Sequence, residues 1–208
     1  MMLTIDTSGA RSGLAITQDQ RVLAELQWES GRRHSEQVLP QIDDLCRLVA
    51  VAPQDFRHIV VALGPGSWSG IRVGISIAKG LALGTEAPII GVATLDALAW
   101  QLRGTTCTAV LSMGRGRYAV AHYPAEQWVP GTISASNQAE INGIDQHSIV
   151  CDPDTAQSIR GTLPDAPLHV VWPRPLTYAQ IGGEIRDAQD ATSYRYEPIY
   201  LGDPVQRT

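Results

Sequence analysis

Apolar residues along this chain follow two rhythms. The first is short and unbroken: residues 3–5, 13–17, 22–26, 59–63 and 89–92 are brief runs rich in Leu, Ile and Val, of strand length, with turns at 8–12 and 18–21. The second has the helical period. Between residues 35 and 51, Val38, Ile42, Leu45 and Val49 fall on one stripe, widened by Leu39 and Cys46. A second helical pattern opens near Ser69, which is expected to cap it with Trp68 packing outside, and a third is expected to be capped by Thr94. The first half therefore reads as three strands, helix, strand, helix, strand, helix. After Gly104 the pattern restarts. Residues 106–112 and 118–123 predict a hairpin across Gly114-Arg115-Gly116, 148–151 and 168–172 later strands, and 155–163 a helix between them. Pro173-Arg174-Pro175 breaks the chain before a last helix at 176–188. The expectation is an α/β protein with a lobe at 1–103 and a smaller one at 104–208.

The most informative stretch is Gly64-Pro65-Gly66-Ser67-Trp68-Ser69-Gly70-Ile71-Arg72-Val73-Gly74, followed by Ala78-Lys79-Gly80-Leu81-Ala82. It reads as strand, tight loop, helix, a geometry that serves either phosphate or close packing. Generic phosphate motifs fail here: Lys79 comes two turns too late for a P-loop, and the glycine spacing misses the dinucleotide pattern by one residue. Gly70, Gly74, Ala78 and Ala82 recur every four residues, stacking small side chains on one face where another backbone can approach. Ile71, Val73, Ile75, Ile77 and Leu81 cover most other directions, and Arg72 and Lys79 are the charged residues of this helix. A helix apolar nearly all round needs cover on both sides, and a sheet supplies one. The other side belongs either to a partner or to a second layer of the same domain.

Residues 64–82 resemble the GPGS-x-[ST]-G-x-R-x-G…A-[KQ]-G-L-A signature of the TsaB family, also called YeaZ, the smaller paralogues of the threonylcarbamoyl-transferase TsaD. Further matches are Ile5-Asp6-Thr7-Ser8, His34-Ser35-Glu36 with Leu39-Pro40, Ile90-Gly91-Val92 with Leu95, Arg115-Gly116 with Tyr118, and Pro198-x-Tyr200-Leu201. The resemblance implies a two-lobed actin-like ATPase (ribonuclease H-like) fold with a reduced second lobe. It also implies a non-catalytic subunit without cofactor in threonylcarbamoyladenosine modification of tRNA beside the anticodon. Its partners would be a TsaD-like transferase, a TsaE-like ATPase reached through that pair, and a second copy when alone. Contact residues are then expected at Arg32, His34, Glu36, Gln37 and Leu39 on the first helix, and at Arg72, Ile75, Ser76, Lys79 and Leu83 on the second. Gly64, Pro65, Gly66, Ser67, Gly70 and Gly74 would form the structural loop.

Composition narrows the setting. Hydrophobic residues make up 44% and charged residues 18%, ordinary for a globular chain, and no apolar run approaches membrane length. The three cysteines, Cys46, Cys107 and Cys151, lie far apart without C-x-x-C spacing, which implies neither a disulfide scaffold nor a zinc site and fits a reducing cytoplasm. The net charge of −5 and scattered basic residues argue against autonomous nucleic-acid binding, so tRNA is expected to be met only through a partner.

Candidate chemistry gathers at Asp6-Thr7-Ser8, where an actin-like ATPase places its first phosphate loop. Either these residues meet phosphate and magnesium-bound water, or they satisfy backbone groups of the turn. Ser112 stands where TsaB-like sequences commonly carry Asp, and serine cannot neutralise a metal ion, which puts nucleotide hydrolysis in doubt. The alternative function is an ATP-dependent phosphotransferase or hydrolase using Asp6 and Thr7. A metallopeptidase is disfavoured, because His34, His58, His122, His147 and His169 never fall within one turn of each other. Ser67 and Ser69 lack G-x-S-x-G spacing and are not convincing nucleophiles.

Overall fold

The computed structural model describes residues 1–19, 21–31, 33–126, 130–141, 148–161, 163–188 and 194–201. Its first half holds strands β1 (Met2–Asp6), β2 (Arg11–Gln18) and β3 (Arg21–Glu29), helix α1 (His34–Leu48), strand β4 (His58–Ala62), helix α2 (Trp68–Thr85), strand β5 (Ile89–Val92) and helix α3 (Thr94–Trp100). The second half holds β6 (Cys107–Gly114), β7 (Arg117–Tyr123), β8 (Ser134–Asn137), α4 (Gln138–Ile141), β9 (Ser148–Cys151), α5 (Pro153–Ile159), β10 (Leu168–Val170) and α6 (Pro175–Ala188).

The two sheets share one plan. Their orders are β3-β2-β1-β4-β5 and β10-β9-β6-β7-β8, so in each the third, second, first, fourth and fifth strands of the half follow one another across the sheet. In both, an antiparallel meander is extended by parallel strands next to its first strand. This repeated order is that of the actin-like ATPase fold, and the fold expectation holds.

Both faces of the first sheet are covered, which is why its central strands are apolar without alternation. Leu3, Ile5, Ile59 and Val61 face α1 and α2 with Val38, Ile42, Leu45, Ile71 and Ile75. Met2, Val60, Ala62, Ile90 and Val92 face the opposite way, against Tyr178, Ala179 and Ile181 of α6. In the second sheet, Ala109, Leu111, Ala119 and Ala121 pack on Leu95 and Leu98 of α3, while Val110, Val120, Ile149 and Cys151 pack on α5. The last helix of the chain thus lies on the first sheet, and α3 lies on the second. A division at residue 103 separates the sheets but not their helical layers.

Local capping differs from expectation at two helices. Ser67, not Ser69, caps α2, its Oγ accepting from the Gly70 N–H at 3.3 Å. Thr94 is the first residue of α3 rather than its cap, and its hydroxyl donates to Ser8 Oγ at 3.2 Å. α1 ends at Leu48 rather than Val51, because Ala50 turns into the left-handed region with φ 54. The strand β8 and the one-turn helix α4 were not foreseen; Ser134-Ala135-Ser136-Asn137 has little apolar signal.

Candidate functional site

Two places could carry function: the cleft between the sheets, where phosphate chemistry would occur, and the outer side of α1 and α2. The glycine loop touches the first. Gly64 adopts φ 86, the peptide before Pro65 is cis, and the loop leads β4 into α2. A side chain on Gly66 would overlap the Ser8 carbonyl, and one on Gly70 the Thr7 carbonyl; at Gly74 it would come within 2.5 Å of Thr7 Oγ1. The Ser67 N–H donates to Ser8 O at 2.6 Å, and the Thr7 hydroxyl donates to Gly70 O at 2.7 Å. The glycines serve close packing of α2 on the first turn of the chain. Gly70 and Gly74, read from sequence as part of a surface for another backbone, are instead filled by the protein's own Thr7.

Asp6 is buried at the end of β1 and accepts from Ser8 N at 2.8 Å and Ser8 Oγ at 2.7 Å. Its carboxyl is an acceptor for its own turn, and burial pushes its pKa up to about 6 against the lowering effect of those bonds. The Tyr178 hydroxyl, fully buried and held in its neutral form by burial and by neighbouring Asp6, faces this group without a hydrogen bond of good geometry. Ser112 sits in its own lobe: its N–H donates to Thr155 Oγ1 at 2.8 Å, and its Oγ accepts from Gly114 N at 3.4 Å.

Asp6, Ser8, Arg11, Thr94, Asp152 and Trp172 surround a cavity of about 20 Å³ between the lobes. A site for a ligand of nucleotide size needs several hundred Å³. The space is taken up by the segment leading into α6. The Arg11 guanidinium lies 4.9 Å from the centre of the Trp172 ring, Gln27 donates to Pro173 O at 2.7 Å, and Gln101 donates to Trp172 O at 3.0 Å. Arg174 pairs with Glu25, whose other oxygen accepts from Leu176 N at 3.1 Å. Asp152, the second carboxylate on the cavity wall, caps α5 by accepting from Thr155 N at 2.8 Å, and burial raises its pKa. Among the described residues, no three His, Cys, Asp or Glu side chains gather as a metal site. Sequence reading missed Arg11, Asp152 and Trp172, since nothing local reveals that strand β2 and the α6 lead-in meet across the cleft.

The outer side of α2 is different in kind. Ser69, Arg72, Ser76, Lys79, Gly80, Leu83 and Gly84 form one exposed stripe at helical spacing, and Leu83 is 86% exposed. A side chain placed on Gly80 or Gly84 would meet nothing within 4 Å, so neither glycine is required by internal packing. On α1, Leu39 is half exposed and Leu48 is 76% exposed, the latter not anticipated. Glu36 is exposed, whereas Gln37 is tied inward, its Oε1 accepting from Trp28 Nε1 at 3.1 Å. His34 opens α1, and Arg32 lies outside the described residues. Ile75, expected at the surface, is 5% exposed and belongs to the core, because its position on α2 faces the sheet.

Two cations of the stripe are used within the chain. Arg72 lies 4.5 Å from the Trp68 ring centre, Trp68 packs tilted on Tyr200 at 5.8 Å, and Lys79 lies 5.3 Å from the Tyr196 ring centre. The segment at 194–201 is thereby held along α2, and Ile199 N–H donates to Leu63 O at 2.8 Å where the glycine loop begins.

Comparison with known proteins reads onto this geometry. A family model described as TsaD, tRNA N6-adenosine threonylcarbamoyltransferase, matches residues 27–128, which contain α1, the glycine loop and α2. The tRNA threonylcarbamoyladenosine biosynthesis protein TsaB of Bacillus subtilis is 40% identical over 98 residues, 47% of this chain and 43% of that protein. TsaB of Escherichia coli is 37% identical over 108 residues, 50% of this chain and 46% of that protein. The chain is thus similar to TsaB proteins, and to the TsaD family model, over about half of its length. These matches span less than half the length of the curated relatives. YeaZ from Pseudomonas aeruginosa superposes with a TM-score of 0.79 at 20% identity, covering 96% of this chain and 99% of that one, which carries the shared fold through both lobes.

Proposed function

We propose that this chain is a non-catalytic subunit that binds a TsaD-like transferase through the outer stripe of α2 and supports threonylcarbamoyl transfer to the adenosine beside the anticodon of tRNA. The observation that carries the reading is Leu83, 86% exposed between two glycines that no internal contact requires. A large apolar side chain flanked by bare backbone suits close approach of a second helix, where truncation or charge at one central residue removes much of the binding energy. The filled cleft supports the non-catalytic part: about 20 Å³ leaves no room for a nucleotide next to Asp6, Thr7, Ser8 and Ser112. A TsaE-like ATPase would join through the pair, a second copy would cover the same stripe when the partner is absent, and tRNA would be met through the partner. A cytoplasmic setting accords with these roles.

The test is reconstitution with a TsaD-like transferase and tRNA. Leu83→Asp should abolish association and transfer, since it would leave a desolvated unpaired charge at the contact, while leaving thermal unfolding near wild type because the residue is exposed in the free chain. Transfer by Leu83→Asp at the wild-type rate, with Asp6→Asn inactive, would return the function to the cleft.

A further inference from the structure

On the side of the first sheet away from α1 and α2, α6 and the ends of β1, β4 and α3 enclose an open groove of about 460 Å³. Its size lies in the range of small-molecule sites. We propose that this groove binds a small organic phosphate, with Arg57 holding the anion and the body of the ligand lying along Gly183.

Three observations converge on that chemistry. The first is an unused cation. Arg103 pairs with Glu184 at 2.8 Å and Arg186 with Asp187 at 2.7 Å, whereas among the described residues Arg57 has no ion-pair partner although it lines the same groove. Among the described residues, Asp19 is the one further carboxylate on the wall. The second is orientation. The Arg103 guanidinium carbon lies over the Trp100 ring, 4.2 Å from its centre, and the Trp100 indole N–H donates to Gln180 Oε1 at 2.9 Å. With its oxygen engaged, the Gln180 carboxamide is left with its N–H donors on the wall that also carries Arg57, and both groups suit phosphate oxygens.

The third is Gly183. Its neighbour Gly182 is a glycine of necessity, because a side chain there would come within 2.5 Å of Val60 Cγ2. At Gly183 a side chain would meet nothing within 4 Å. A glycine inside a helix weakens it relative to alanine. Here no packing demands that weakness, and the missing side chain keeps the groove open beside a floor of Met2 and Ala179, both 5% exposed.

Phenyl phosphate serves as the probe, since it joins the anion to an apolar body; inorganic phosphate, phenol and benzoate separate the contributions of phosphate, ring and carboxylate. In a nitrogen-proton correlation spectrum of the full chain, phenyl phosphate should shift the Trp100 indole and Gly183 amide resonances with saturation, phosphate more weakly, and phenol not at all. Benzoate binding as tightly as phenyl phosphate would overturn the choice of phosphate. Arg57→Gln should weaken binding by roughly tenfold or more, the scale of a lost charge-assisted pair. Gly183→Phe should block it by filling the groove, and open space at that position keeps the variant folded. The proposal fails if saturating phenyl phosphate leaves those resonances unmoved, or if Arg57→Gln and Gly183→Phe bind as the wild type does.

Discussion

Replacing Asp6 with asparagine should stabilise the protein at neutral pH. The carboxyl is 4% exposed and its pKa in the fold is about 6, against an ordinary 3.8. Each pH unit of separation is worth about 1.4 kcal/mol, so ionised Asp6 disfavours the fold by about 3 kcal/mol above pH 6. The sign follows from proton counts. Between pH 3.8 and about 6 the folded chain holds a proton that the unfolded chain has released, so this contribution to stability is full below 3.8 and is lost as pH rises through 6. Asparagine keeps an oxygen for the Ser8 N–H and Ser8 hydroxyl, removes the buried charge, and offers an N–H toward the neighbouring Tyr178 hydroxyl, which makes no hydrogen bond of good geometry among the described residues. Urea denaturation of wild type and Asp6→Asn at a series of pH values isolates the effect, because other carboxylates titrate equally in both. The variant should be more stable by up to about 3 kcal/mol at pH 7.5, with the difference shrinking toward zero near pH 4. A variant less stable than wild type at pH 7.5, or a difference independent of pH, would refute the argument and mean that the Asp6 carboxylate is held ionised by the cleft.

Three other outcomes follow from the packing. Gly70→Ala should destabilise by several kcal/mol, since its methyl overlaps the Thr7 carbonyl of a fixed turn, and chemical denaturation will show it. Gly80→Gln should raise the stability of the isolated chain by about 0.5–1 kcal/mol through helix propensity while weakening a concentration-dependent homodimer; light scattering that finds the variant dimer unweakened would move the contact off the α2 stripe. The isolated protein should release no phosphate from ATP above background, and steady turnover abolished by Trp172→Ala or Asp6→Ala would show that the cleft opens to a working site.

Much of the architecture was written in one dimension. The unbroken apolar runs at β1, β4 and β5 specify strands covered on both faces, the stripe through Val38, Ile42 and Leu45 specifies one face of α1, and the glycine loop announces a strand-to-helix turn too tight for side chains. The residues that resemble the TsaB signature lie within that same stretch, where close packing on the first turn of the chain admits only glycine at Gly66 and Gly70. What periodicity could not decide was direction. Gly70, Gly74 and Gly80 are alike in sequence, yet the first two are filled by Thr7 and the third faces open space, a difference set by where β1 ends in three dimensions. Ile75 and Leu83 were equally apolar candidates for the surface, and only the placement of α2 on the sheet buries the one and exposes the other. The same holds for the cleft: Asp6, Arg11, Asp152 and Trp172 come from distant segments, and their meeting closes a space that local pattern alone left open to a nucleotide. Local pattern fixes which elements form because it reflects each segment's own burial, whereas the filling of a cleft or the freedom of a helix face depends on what the rest of the chain brings beside it.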